Sequence, residues 1–237
     1  DGARLAVSLV LNFEEGAEYA ISEGDAHNEA VYEVIDRLPD IPDPCLQSHF
    51  DYGTRVGWWR IMQVMQDFAV PCTVSACGAA IERLPELAQD AMQRGHEISA
   101  HGWRWESHAR MSVEEELRNI RRTVQAIEQA TGQRPLGWHT RSASSPNTRT
   151  LLMQEGFVYD SDFYGDDLPI LTHTPQGAPY VVMPYAFDTN DMQFQHTQRF
   201  STANEFAEYV IAAIDWLWQE GAQLSLIHIY EPTRQEA

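Results

Sequence analysis

Two neighbouring carboxylates, Glu14 and Glu15, close the first apolar run of this chain, Leu5 to Leu11 followed by Asn12-Phe13. A later run ends in Glu97-Ile98-Ser99-Ala100-His101-Gly102-Trp103-Arg104-Trp105. Carboxylates and an imidazole delivered by the ends of buried strands are the groups that hydrolysis needs, a base to take a proton from water and a partner to hold or return it. Alternation sends neighbouring strand residues to opposite faces, so one of Glu14 and Glu15 can enter a mouth while the other faces a loop. Desolvation of an enclosed carboxylate would raise its pKa and improve it as a base near neutral pH. Taken alone, a Glu-Glu pair is a solvated acidic loop and a single His a buried structural residue. The two together at strand ends point to a site.

The elements that must position these groups alternate between short apolar runs and helical patterns, as in a parallel sheet or α/β barrel. After strand one comes a polar stretch from Gly16 to His27, a helix candidate over Ala30 to Leu38, and a Pro-rich loop from Pro39 to Pro44. Helical spacing runs from Gly53 to Phe68, with a strand at Cys72 to Cys77 after Pro71. Pro85 opens a helix that Gly95 ends, and the strand His96 to Ala100 leads into His101. Ser112 with Glu115 forms a capping box for a long amphipathic helix stopping near Gly132. Leu136 to His139, Val158 to Asp160 and Tyr180 to Pro184 read as strands, and Ser145 to Glu155 and Ala203 to Glu220 as helices.

The 237 residues, 43% of them hydrophobic, suffice for one core and one domain. There are 35 acidic residues against 16 basic ones, every one of the latter Arg, and the formal charge of −19 argues against nucleic acid or an anionic membrane as partner. Cys45, Cys72 and Cys77 lack metal-ligand spacing and are odd in number, which favours free thiols in a reducing compartment. No apolar stretch approaches the ~18 residues of a membrane span, and no signal-type segment precedes the first strand. The expectation is a cytoplasmic protein.

The acidic doublet, the His-Gly-Trp-Arg-Trp segment, Arg134-Pro135-Leu136-Gly137-Trp138, Tyr159-Asp160-Ser161-Asp162 and Asp188-Thr189-Asn190-Asp191-Met192 occur in that order. The chain thereby resembles the NodB-homology polysaccharide deacetylase superfamily, and within it the cytoplasmic branch typified by the allantoinase of the uric-acid pathway. The resemblance covers about residues 3 to 222. It implies a distorted (β/α) barrel and hydrolysis of a non-peptide carbon–nitrogen bond. It makes Glu14 the general base and Glu15 a metal-ligand position, both Asp in the deacetylases, and His101 the first histidine of an H-x-x-x-H metal motif.

The second histidine of that motif is Trp105, whose indole N–H has no lone pair to donate. His108, seven residues on, would stand about 10 Å along a helix axis from His101, and His96 would point to the opposite strand face. Glu106 could compensate, though nothing in the spacing requires it. Loss of tight zinc binding is therefore expected and no cofactor is assigned, with weak zinc at Glu15 and His101 left open. Without a metal the carbonyl must be polarised by hydrogen bonds or by Arg, and Arg141 lies on a loop at the same mouth. His101 would position water or donate to the leaving nitrogen. Trp103 and Trp105 would wall a substrate pocket, and Asp160 and Asp162 are its further candidates, in an Asp-rich stretch that otherwise caps turns.

The family pattern breaks at 223–237. His228 sits in a strand-like run, but Glu231-Pro232-Thr233-Arg234-Gln235 does not continue it, and the string from Leu224 to Arg234 resembles a translated sequencing-adaptor tail. A barrel truncated at its carboxyl end is the expectation. The reaction read from all this is hydrolysis of a small cyclic ureide or amide. An N-deacetylase acting on a polysaccharide or peptidoglycan fragment and a non-catalytic binding protein on the same scaffold are the alternatives. A homo-oligomer is expected by analogy alone.

Overall fold

The computed structural model describes residues 3–31, 36–141, 143–195, 199–222 and, as backbone, 226–230. Its strands are β1 (Leu5–Phe13), β2 (Thr73–Ala76), β3 (Glu97–Ala100), β4 (Gly137–Trp138), β5 (Tyr159–Phe163), β6 (Ile170–His173), β7 (Pro179–Pro184) and β8 (Leu226–Tyr230). The helices are α1 (Pro44–Tyr52), α2 (Trp58–Asp67), α3 (Gly78–Arg83), α4 (Pro85–Gln93), α5 (Val113–Thr131), α6 (Thr148–Gln154) and α7 (Ala203–Glu220). One sheet carries all eight strands in the order β6-β7-β5-β4-β3-β2-β1-β8. Every pairing is parallel except β6 with β7. The sheet curls until β7 and β8 approach each other, giving a distorted α/β barrel with helices outside.

The strands do not carry the all-apolar faces usual for a parallel sheet. Leu11 and Phe13 of β1, Val74 and Ala76 of β2, and Ile98 and Ala100 of β3 join the core with Trp58 and Met62 of α2, Ile81 of α3, Leu87 of α4 and Ile120 and Ile127 of α5. The alternate positions Asn12, Ser75 and Ser99 lie side by side in register. The barrel thus turns its apolar faces to the helices and a polar row inward.

Local sequence sets the helix ends. Ser112 and Glu115 exchange the reciprocal capping hydrogen bonds that open α5, Gly132 closes it at φ +72°, and Thr202 with Glu205 caps α7 in the same way. The expected helix over Gly53 to Phe68 is longer than its spacing suggests. Asp43 accepts from the Leu46 amide at 2.9 Å and starts α1 at Pro44, and a π-helical turn over Gly53–Gly57 joins α1 to α2. Sequence spacing also missed α3, a helix of 6 residues, and the antiparallel β6. Part of the expected helix at Ala30 to Leu38, residues 32–35, lies outside the described residues, as do residues 231–237 and the side chain of His228.

Candidate active site

The carboxyl ends of β1 and β3 bring Glu14 and His101 together. Glu14 Oε1 lies 3.1 Å from His101 Nε2, and Arg141 Nε, from the loop after β4, is 3.4 Å from Glu14 Oε2. His101 Nδ1 is 2.7 Å from the carbonyl oxygen of His139. A carbonyl can only accept, so Nδ1 carries a proton and Nε2 is the nitrogen that faces the Glu14 carboxylate. Burial works against an ionised Glu14, but the hydrogen bond and charge of His101 and the Arg141 guanidinium outweigh it, and the carboxyl sits below its ordinary range. The expected upward shift is reversed by these partners. Burial likewise holds His101 below the ordinary imidazole value, although Glu14 pulls the other way.

Trp105 frames the pair. Its indole N–H donates to the Glu14 carbonyl oxygen at 3.1 Å, its ring meets Phe50 edge-on at 5.3 Å, and the Arg141 guanidinium lies over it at 4.4 Å. The ring occupies the position of a second histidine and steadies the cation that faces Glu14.

Glu15 turns away from Glu14 as alternation requires and is buried against the π-helical turn. A Cβ on Gly53 would fall 2.4 Å from Glu15 Oε1. Gly53 is therefore the residue that leaves room for this carboxylate, in the kind of turn that often marks a functional position. Gly53→Ala is expected to lower stability by about 1–3 kcal/mol through overpacking. Thermal unfolding beside turnover will check it, and an unchanged melting temperature would show that Glu15 has another place to go.

Other sequence candidates lie elsewhere. Trp103 does not wall this site: its ring packs over Gly78 of α3 and under Arg122 of α5 at 3.5 Å. Asp160 is 1% exposed, and Arg149 donates to its two oxygens at 2.7 and 3.0 Å while Tyr180 donates at 2.9 Å. These contacts tie α6 and β7 to β5 and explain why a carboxylate there is buried. Asp162 does approach the site. It accepts from the Thr140 amide at 2.7 Å and contacts His139 Nδ1 at 3.2 Å, and these partners overcome its burial and hold its carboxyl low. Glu106 is engaged by Asn119 at 2.8 Å.

Two residues absent from the sequence candidates complete the wall. The His139 ring stacks on His101 at 5.3 Å and on Tyr185 at 4.5 Å. Its place immediately after an apolar strand, two residues before Arg141, was the available signal. His108 folds back in a short 3-10 turn and contacts buried Glu116 at 3.1 Å, where Ser145 and Thr148 also donate. Glu116 thereby braces the loops that carry Trp105 and Arg141. The two buried thiols offer no nucleophile, since burial pushes Cys72 up to about 12 and Cys77 well above its ordinary value.

A family model described as polysaccharide deacetylase matches residues 40–158, half of the chain. The chain is 30% identical over 246 residues to a putative polysaccharide deacetylase of Schizosaccharomyces pombe, covering 94% of this chain and 76% of the relative. This chain belongs to the polysaccharide deacetylase family. Among solved structures, a Puue allantoinase superposes with a TM-score of 0.90 at 38% identity, covering 98% of this chain and 78% of that one. A probable polysaccharide deacetylase from Pseudomonas aeruginosa PAO1 gives 0.91 at 38% identity, covering 98% and 79%. This family member is a deacetylase-type hydrolase acting on carbon–nitrogen bonds. Among the described residues no helix is long and apolar enough to cross a membrane.

Deacetylases of this family generally use a divalent metal. The residues here do not fit one held tightly. Both His101 nitrogens are engaged, Trp105 brings a donor N–H where a lone pair is needed, and the Arg141 cation stands beside Glu14. No group of three His, Cys, Asp or Glu side chains among the described residues is placed to surround an ion.

Proposed function

We propose that this protein hydrolyses a cyclic amide of the allantoin type, a ureide ring, with Glu14 as general base. The observation that supports this reading best is a base carboxylate held between a histidine and an arginine, with an indole at the second metal-histidine position. In this reading Glu14 takes a proton from water as its oxygen bonds to the ring carbonyl carbon. Arg141 stabilises the negative charge that develops on the carbonyl oxygen. The carbon–nitrogen bond then breaks and the proton held by the Glu14–His101 pair passes to the leaving nitrogen. Trp105 closes the pocket beneath Arg141, and Asp162 orients His139 at its wall.

The same fold carries proteins named for deacetylation, so N-acetyl sugar hydrolysis is the competing reading. Assays of allantoin opening and of acetate release, each with and without a strong chelator, separate them. Ring opening insensitive to chelator is the expected result. Acetate release that chelator abolishes and zinc restores would overturn it and return a ligand role to Glu15 and His101.

A further inference from the structure

Glu116, near the start of α5, is 0% exposed and stands outside the cluster around Glu14. A carboxylate buried so completely is costly unless donors meet it. The Ser145 hydroxyl donates to Oε2 at 2.5 Å, the Thr148 hydroxyl donates to Oε1, and His108 Nδ1 lies 3.1 Å from Oε1. The two hydroxyl oxygens already accept backbone amides, Ser145 Oγ that of Asn147 at 2.9 Å and Thr148 Oγ1 that of Ser145 at 2.8 Å. Both hydroxyl hydrogens are thus left for the carboxylate.

These partners come from the two loops that build the site. His108 follows Trp105 by three residues and Ser145 follows Arg141 by four. The His108 ring also meets Trp138 edge-on at 5.7 Å, and the Trp138 indole donates at 2.9 Å to the hydroxyl of Thr140, the residue before Arg141. α5 is a firm base for such an anchor, a helix of 19 residues capped at both ends and packed into the core through Ile120 and Ile127. The anchor fixes the offset between the two loops. That offset decides whether the Arg141 guanidinium lies over the Trp105 ring at 4.4 Å with its Nε 3.4 Å from Glu14. We infer that Glu116 is a positioning residue for the reaction: by tying both loops to α5 it holds Arg141 against Glu14 and the developing oxyanion. This rests on the proposed role of Arg141 in stabilising that charge.

Glu116→Gln keeps the shape of the side chain but turns one acceptor oxygen into an amide nitrogen, so one of the three donors loses its partner. It is expected to lower kcat about tenfold while KM stays within about twofold, because the misplaced group acts on the transition state. In an Arg141→Ala background the same substitution should change kcat by less than about twofold, since the group it positions is gone. Hydrogen exchange of the Trp105 indole N–H, followed by NMR without substrate, should quicken about tenfold. If Glu116→Gln does not fold, Thr148→Val removes one hydroxyl from the Arg141 side at nearly constant shape and is read in the same way. An equal loss of kcat in both backgrounds would make Glu116 a support of the fold at large and overturn the proposal, as would wild-type kcat in a folded variant. Should Arg141→Ala itself leave kcat unchanged, the catalytic reading of Arg141 fails, and indole exchange alone then decides whether Glu116 holds the two loops.

Discussion

Glu14→Gln is expected to lower kcat by about 10²–10⁴-fold, the contribution of a well-placed general base. The amide is nearly isosteric with the carboxylate and can still accept from Arg141, so folding and the contact of Trp105 with the Glu14 backbone carbonyl are retained. It cannot take a proton from water. Because the hydrogen bond to His101 survives in altered form, substrate binding measured by calorimetry should change far less than turnover. That split separates an enzyme from a binding protein on the same scaffold: in a binding protein, Glu14→Gln would change no rate because there is none to change. Equal loss of kcat and of binding would instead make Glu14 a substrate-contact residue.

The positions of Glu14, Glu15 and His101 were legible because strand ends and alternation are local properties. A run such as Leu5 to Leu11 can end in charge only where it leaves the core. Arg141 was legible for the same reason, one strand further along. Trp103 and Asp160 misled because sequence proximity to a motif says nothing about which side of a short loop a side chain leaves from. Gly78 draws Trp103 toward the helices by offering a surface without a Cβ, and Arg149, a residue of α6, claims Asp160. His108 was judged on a helical spacing that the chain does not adopt there, since the segment after Gly102 at φ +89° bends back on itself. The direction of the Glu14 shift was out of reach for a related reason. Desolvation follows from burial alone, but the opposing charges come from residues 87 and 127 positions away in sequence. The polar row of Asn12, Ser75 and Ser99 was hidden because only the strand register sets the three side by side.

Arg141→Ala is expected to reduce kcat/KM by about 10²–10³-fold, as removal of an oxyanion donor does, and to move the pH profile as well. Arg141 favours the ionised form of Glu14, whose carboxyl is held below its ordinary value, so the base is ready at lower pH than a free carboxylate would be. Removing the guanidinium takes away one of the stabilising charges and raises that pKa. The rising limb of kcat/KM, which follows deprotonation of the Glu14–His101 pair in the free enzyme, must therefore shift to higher pH and not lower. A purely structural role for Arg141, acting through its stacking on Trp105, would lower the rate without displacing the limb. Arg141→Lys sharpens the distinction, since a lysine keeps the charge but loses the flat guanidinium that lies over the indole. If the lysine variant keeps the wild-type limb at reduced rate while the alanine variant shifts it, the charge on Arg141 sets the protonation of the base and its planar stacking sets the geometry. An unshifted limb in the alanine variant would separate Arg141 from the base.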